Sequence, residues 1–284
     1  MEDNCINTLE LENVKNIYVC GDIHGGFADL VFKMERYKIE NSVVIVCGDC
    51  GFGFENPGHY LHIYEKKLEK KLMKYNNLIL CIRGNHDDPR YFDDPEFIPD
   101  LPRLKTVSSN IILNICRYNI LCVGGAISID RKDRIEADRK QKRKDHPKCY
   151  WENEKITKIS EIENIPCRID IVLSHEAPVS YDPPLIKNKN MSNDLWDDIL
   201  DSRNYLEKIN TRIRPLRWYY GHYHKSLSGY TGRTIWRCLD ELEIVQIPEK
   251  EGEILGTILD SDEILLSRKE QDEEKKKRIT LKKR

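Results

Sequence analysis

Five short polar clusters in this chain carry residue types that hold metal ions. Asp22 and His24 lie in Gly21-Asp22-Ile23-His24-Gly25, and Asp49 follows Gly48. Asn85, His86 and Asp87 follow Gly84, His175 lies in Ser174-His175-Glu176-Ala177-Pro178, and His222 and His224 lie in Gly221-His222-Tyr223-His224. Imidazole and carboxylate suit zinc, manganese and iron, and an asparagine carbonyl can complete such a shell. Two divalent cations need a bridging carboxylate to tolerate each other, and together they clamp a phosphate and its attacking water. Asp22, Asp49 and a bridging hydroxide offset three of the four positive charges, so the site attracts phosphate without trapping it. A structural metal site would instead be a closed shell of four ligands rich in Cys or His. Seven O and N ligands without a thiolate argue against that.

The clusters share a position in the pattern. Each follows an apolar run that reads as a buried strand: 16–20, 42–47, 78–82, 169–173 and 216–220. Glycine precedes the polar residues in four of the five, which permits sharp turns and close approach of ligands. Helices are expected near 27–38, 57–75, 88–94, 155–163 and 193–209. The strand–helix alternation in the first hundred residues predicts a parallel sheet covered on both faces. Segments 111–116 and 119–123 read as a hairpin joined at Arg117-Tyr118. Strands near 225–230, 234–239 and 242–247 close the sheet. Open α/β sheets bind ligands beyond the carboxyl ends of their strands, where these clusters fall.

Charged residues make up 33% and hydrophobic residues 39% of the 284, a wet balance still compatible with a globular fold. The net charge of −2 exerts no pull toward nucleic acid or anionic membrane. No apolar run reaches the ~18 residues of a membrane span, and the acidic start Met1-Glu2-Asp3-Asn4 does not read as a secretion signal. The ten cysteines, several inside strand-like runs, are expected to be reduced thiols of a cytoplasmic protein. Cys47 and Cys50 flank Gly48-Asp49, and a redox motif or zinc knuckle there is the minor reading. The catalytic domain is expected to span 1–248. The charged remainder, 249–284, is expected to be a frayed helix or a disordered tail.

Taken together and in order, the motifs GDIHG (21–25), GD (48–49), GNHD (84–87), SH (174–175) and GHYH (221–224) resemble the calcineurin-like metallophosphoesterase superfamily over about residues 16–247. The resemblance implies an α/β fold, a two-sheet β-sandwich flanked by helices with a dinuclear metal site at the strand ends. It implies that Asp22, His24 and His224 hold one metal, that Asp49 bridges, and that Asn85, His175 and His222 hold the second. His86 matches the family's catalytic histidine, which would contact the phosphate and protonate the leaving alkoxide. Two divalent cations are implied, manganese foremost, with iron, zinc or nickel as alternatives.

The protein-phosphatase branch reads GDxxDRG after the second strand. Here Phe52 and Gly53 replace the acid and the arginine, so Asp87 or Asp88 is left to orient His86. Gly124–Asp130, Arg134 and Trp218–His222 resemble a bacterial and phage group, which would put Ser128, Asp130 and Arg134 on the substrate side. Arg83 either reaches the phosphate or is structural. The other basic residues of 130–148 read as a solvated helix or loop, or as a basic rim. His59, His62 and His146 have no supporting motif.

The leading expectation is a phosphomonoesterase acting on a phosphorylated small molecule or nucleotide. A phosphodiesterase or nuclease, a serine/threonine protein phosphatase, and last a non-catalytic binding module are the alternatives. No strong nucleic-acid signal and no membrane partner are read from the sequence.

Overall fold

A computed structural model describes residues 8–249, except 12–13, 99, 141–147, 160–161, 163–164, 166–167, 185, 188 and 190. The charged stretch 250–284, expected to be a tail, and His146 lie outside the described residues.

The chain forms two facing sheets with helices outside them. The strands are β1 (Thr8–Leu11), β2 (Asn16–Cys20), β3 (Ser42–Val46), β4 (Leu78–Cys81), β5 (Leu104–Thr106), β6 (Ile111–Ile115), β7 (Tyr118–Val123), β8 (Ile171–Ser174), β9 (Arg217–Tyr220), β10 (Leu227–Thr231), β11 (Thr234–Cys238) and β12 (Ile244–Ile247). One sheet runs β12-β2-β3-β4-β5 and the other β1-β6-β7-β8-β9-β11-β10. Strands β2, β3 and β4 pair in parallel, as do β7, β8 and β9. Their carboxyl ends therefore open on a common edge in each sheet.

Strand β3 shows why the sequence folds this way. All five of its residues are buried. Val43 and Ile45 face the second sheet, where they meet Leu113, Ile120, Ile171 and Leu173. Val44 and Val46 face outward, under α1 (Phe27–Arg36) and the helical segment after Asn56. A strand covered on both faces needs apolar residues throughout rather than alternation. In α1, Phe27, Leu30, Val31 and Met34 recur at helical spacing and are the buried face. On the far side, Tyr205, Leu206 and Ile209 of α6 (Asn193–Ile213) pack on Val172, Trp218 and Tyr220.

Some boundaries differ from the sequence reading. The helix expected at 57–75 is three pieces: α2 (Pro57–Ile63), a π-helical turn (Tyr64–Leu68) and α3 (Glu69–Lys74). The short helix expected at 88–94 is α4 (Arg90–Asp93). The hairpin turns one residue early, at Cys116 and Arg117, both with positive φ (48° and 68°). Such a two-residue turn matches the twist of the flanking strands. Part of the charged stretch forms α5 (Arg131–Lys140), which has no buried residue. The helix expected at 155–163 is absent from described residues 155–159. Ile156 and Ile159 do reach the core. They do so from irregular backbone, because the carbonyls of Asn153, Glu154 and Lys155 are taken by the guanidinium of Arg83. No helix among the described residues is long and apolar enough to cross a membrane.

Candidate active site

The loops after β2, β3, β4, β8 and β9 converge. Ligand atoms of Asp22, His24, Asp49 and His224 lie within 4.8 Å of one another, and so do those of Asp49, His175 and His222. Asp49 belongs to both groups. Four of these six residues sit in the left-handed region: His24 (φ 44°), Asp49 (49°), His222 (69°) and His224 (49°). Backbone strain of this kind persists only where the surroundings over-determine it. Glycine is required at Gly84 for a steric reason, since a Cβ there would fall on Asp49 Oδ1 and on the Asp49 backbone.

The donors fit cations. His24 Nε2 faces His224 Nε2 at 3.1 Å. His224 Nε2 lies 2.9 Å from Asp22 Oδ2, a buried oxygen without a well-formed hydrogen bond. Two imidazole lone pairs converging on an unsatisfied, buried carboxylate oxygen at the open edge of the site suit a divalent ion. In the second group, His175 Nδ1 donates to the Cys47 carbonyl at 2.8 Å, which turns Nε2 toward Asp49 Oδ1 (3.1 Å) and Asn85 Oδ1 (3.0 Å). A hydrogen bond at one ring nitrogen fixes which nitrogen is offered as a ligand.

Asn85 is held in turn. Its Nδ2 donates to Ser128 Oγ at 2.9 Å, and Ser128 Oγ and N both donate to the buried Glu154 carboxylate. Burial pushes the Glu154 carboxyl up to about 7. The Ser128 bond leaves the Asn85 carbonyl, not its amide nitrogen, facing His175. In the Ser128→Ala variant we expect affinity for the second cation to fall about 10–100-fold. Glu154→Gln should keep most of it. A metal titration giving two equally tight equivalents for Ser128→Ala would remove this role.

Burial alone would lower the His175 imidazole, but the Asp49 and then the Asp22 carboxylates hold it up at about 10. Burial would likewise raise Asp49, yet facing His175 keeps it well below the carboxylate range. Without metal, this histidine therefore carries a proton at neutral pH. Its folded-state pKa lies above the ordinary value of about 6.5. The stabilisation from that charge is full below that value and is lost as pH rises toward 10. A cation entering here must displace the proton. We expect affinity to rise up to about tenfold per pH unit between pH 7 and 9. Titration in buffers of different ionisation enthalpy should show about one proton released.

His86 lies on the open side of the site. Its N–H donates to Asp49 Oδ1 at 2.8 Å, and its Nε2 is 3.8 Å from Asp49 Oδ2. The guanidinium of Arg134 lies against both ring nitrogens, with Nη2 3.0 Å from Nδ1. Arg134 Nε donates to Asp130 Oδ1 at 2.7 Å, which holds it there. Burial lowers His86 to about 4, with Asp49 opposing and Arg134 adding to the fall.

Three sequence expectations change. Asp87 does not orient His86: its buried carboxylate accepts the N–H groups of Gly84, Cys50, Gly51 and Phe52, tying the loop after β4 to the loop after β3. Asp88 is paired with Arg90. Arg83 does not reach the substrate side, because it is buried with its terminal nitrogens spent on carbonyls. Phe52, where the protein-phosphatase pattern has an acid, packs among Phe27, Tyr60, Tyr91 and Phe92. Cys47 and Cys50 are buried free thiols pushed well up by burial, which does not suit a redox pair.

Sequence reading also missed residues. Glu241 Oε1 lies 3.2 Å from His224 Nδ1 and Glu176 Oε2 lies 3.9 Å from His222 Nε2, each behind a candidate ligand. Glu176 adjoins His175 in a quoted motif and was open to notice. Glu154 and Glu241 have no local signal at all.

A sequence profile described as calcineurin-like phosphoesterase matches residues 15–226. The chain is 29% identical over 130 residues to a serine/threonine-protein phosphatase 6 catalytic subunit from Caenorhabditis elegans, covering 40% of this chain and 37% of that one. It thus spans little more than a third of that relative's length. Solved structures similar to it include a putative 5'-nucleotidase from Staphylococcus aureus (15% identity, TM-score 0.40, 82% of this chain and 50% of that one). Another is a protein serine/threonine phosphatase from Saccharomyces cerevisiae (12% identity, TM-score 0.36, 85% and 76%). With the matched profile running from β2 to just past the last candidate ligand, the chain belongs to the calcineurin-like phosphoesterase family, hydrolases that act on phosphate ester bonds.

Proposed function

We propose that the protein is a phosphomonoesterase of small phosphorylated molecules or nucleotides, working with two divalent cations, manganese foremost, in the cytoplasm. Residues 1–248 form its catalytic domain. The observation that carries this reading is the placement of His86 and Arg134 together on the open side of two ligand groups that share Asp49. Asp22, His24, Asp49 and His224 would hold one cation, and Asp49, Asn85, His175 and His222 the other. When bound, the pair supplies Lewis acidity to the phosphate and an activated water as nucleophile. Arg134 offers a guanidinium fork to the terminal phosphate oxygens, and Asp130 keeps it aimed at them. A dianionic phosphate against His86 raises the imidazole from its low resting value and draws Arg134 off the ring. His86 then holds a proton at Nε2 for the departing alcohol.

A monoester fits better than a nucleic-acid backbone. Three of the five cations of α5 face acidic neighbours: Arg131 meets Asp198, Arg134 meets Asp130 through its Nε, and Lys140 meets Glu136. Among the described residues, these acidic partners interrupt the basic track that a nucleic-acid backbone would need. A phosphoprotein is disfavoured because Phe52 stands where that branch orients its histidine. The cytoplasmic setting is supported by the free thiols of all eight described cysteines.

The test compares p-nitrophenyl phosphate, bis-p-nitrophenyl phosphate and a phosphoserine peptide with added Mn²⁺. Faster hydrolysis of the monoester supports the proposal. A preference for the diester or the peptide would replace it with the corresponding alternative.

A further inference from the structure

A cavity of about 740 Å³ opens beside the ligand groups. His222 and Glu176 form one part of its lining and Asp130, the residue that aims Arg134, another. The cavity thus adjoins both the second ligand group, through His222, and Arg134, through Asp130. The rest of the lining is mainly apolar: Ile127, Met191, Leu195 and Ile199 form a wall, and Ile129 and Ile186 join them. Ile129 is 68% and Ile186 76% exposed, among the most exposed large apolar side chains of the described chain. Both contribute to this one cavity. A polar surface would cover the site at no cost in solubility, so paired exposed isoleucines at a catalytic opening point to an apolar ligand.

Charge narrows the class further. Glu176 is buried, and Asp133 lines the cavity near the exposed Lys132. Arg203, the other cation of the lining, is buried with its terminal nitrogens donating to the carbonyls of Pro178, Tyr181 and Pro183. A carboxylate or second phosphate on the alcohol would meet three acidic side chains, Asp130, Asp133 and Glu176, against one exposed lysine, Lys132.

We propose that this cavity receives the alcohol part of the substrate and selects an uncharged, apolar, ring-sized alcohol over a small or an anionic one. The proposal rests on the phosphomonoesterase reading and deepens it. It makes Ile129, Ile186 and the wall behind them the specificity-determining surface.

The experiment uses three primary alkyl phosphates whose leaving groups differ little in reactivity: 2-phenylethyl, ethyl and 2-carboxyethyl phosphate. Each is assayed with Mn²⁺ against wild type and an Ile129→Asp/Ile186→Asp double variant. Both changes lie at exposed positions, and a melting curve checks that the fold is kept. Wild type should prefer 2-phenylethyl over ethyl phosphate by about tenfold or more in kcat/KM, as burial of a phenyl ring provides. It should cleave the 2-carboxyethyl ester most slowly. In the double variant the phenylethyl-to-ethyl ratio should fall toward one. Equal rates for the three esters, or a ratio that survives in the double variant, would overturn the proposal. If p-nitrophenyl phosphate is cleaved while the ring confers no advantage, only this inference fails. If no monoester is cleaved, the monoesterase reading fails with it.

Discussion

The Asp49→Asn variant should lose at least about a thousandfold in kcat/KM, and bound metal should drop from two equivalents toward one. Asp49 is the one carboxylate common to both ligand groups. Removing its charge strips each cation of a negative ligand and leaves the pair without a screen between them. Asparagine is the right replacement because Asp49 has φ 49°, a conformation that asparagine tolerates and alanine does not. Asparagine also keeps an oxygen for the His86 N–H, now bonded at 2.8 Å. The fold should therefore survive, and a melting curve will show it. The same variant frees His175 from the carboxylate that holds it at about 10. Its imidazole should titrate lower, which NMR of the metal-free protein can read directly. Full activity with two metals bound would sink the bridging role.

His86→Ala should give the second-largest effect, a loss of about 10²–10⁴ in kcat with metal content intact. The size of the loss should depend on the alcohol. p-Nitrophenolate departs without a proton, so its hydrolysis should suffer least. An alkyl phosphate needs the proton, so its hydrolysis should suffer most. An equal loss for both would leave His86 as a phosphate contact and take away its role as an acid. Arg134→Ala separates the two jobs: removing the guanidinium takes away a cation that helps to depress His86, while also removing a phosphate contact. The histidine should then titrate higher and KM should rise.

What the sequence revealed was local in origin. A buried strand followed by Asp, His or Asn, after a glycine in four of the five cases, is written in consecutive residues, so all five clusters and the strands before them were readable. The pattern by itself predicted one parallel sheet, and the two-sheet arrangement was implied only by the family resemblance. What stayed hidden depends on contacts between distant segments. Arg83 looked available for phosphate because nothing beside it in sequence shows the three carbonyls near 153–155 that occupy it. The same contact hid the irregular backbone at 155–159, where a helix was expected. Asp87 looked like an orienting acid because it follows His86, yet its acceptors are filled by main-chain donors from a loop some 35 residues earlier. Glu154 and Glu241 back their partners across the fold and leave no trace in the local pattern. Arg134 was named from resemblance alone, and its contact with His86 depends on α5 lying over the site.

Asp22 receives the N–H of His222, and His24 faces His224, each pair separated by 200 residues of chain. Synthesis proceeds from the amino terminus, so the first half of this shell leaves the ribosome long before its complement exists. Strands β2, β3 and β4 can form their sheet in that interval, but the corner that unites Asp22, His24 and His224 cannot close. Metal capture is thus tied to the end of domain synthesis, and an incomplete chain that stops short of β9 should fold in part yet fail to retain the ion pair.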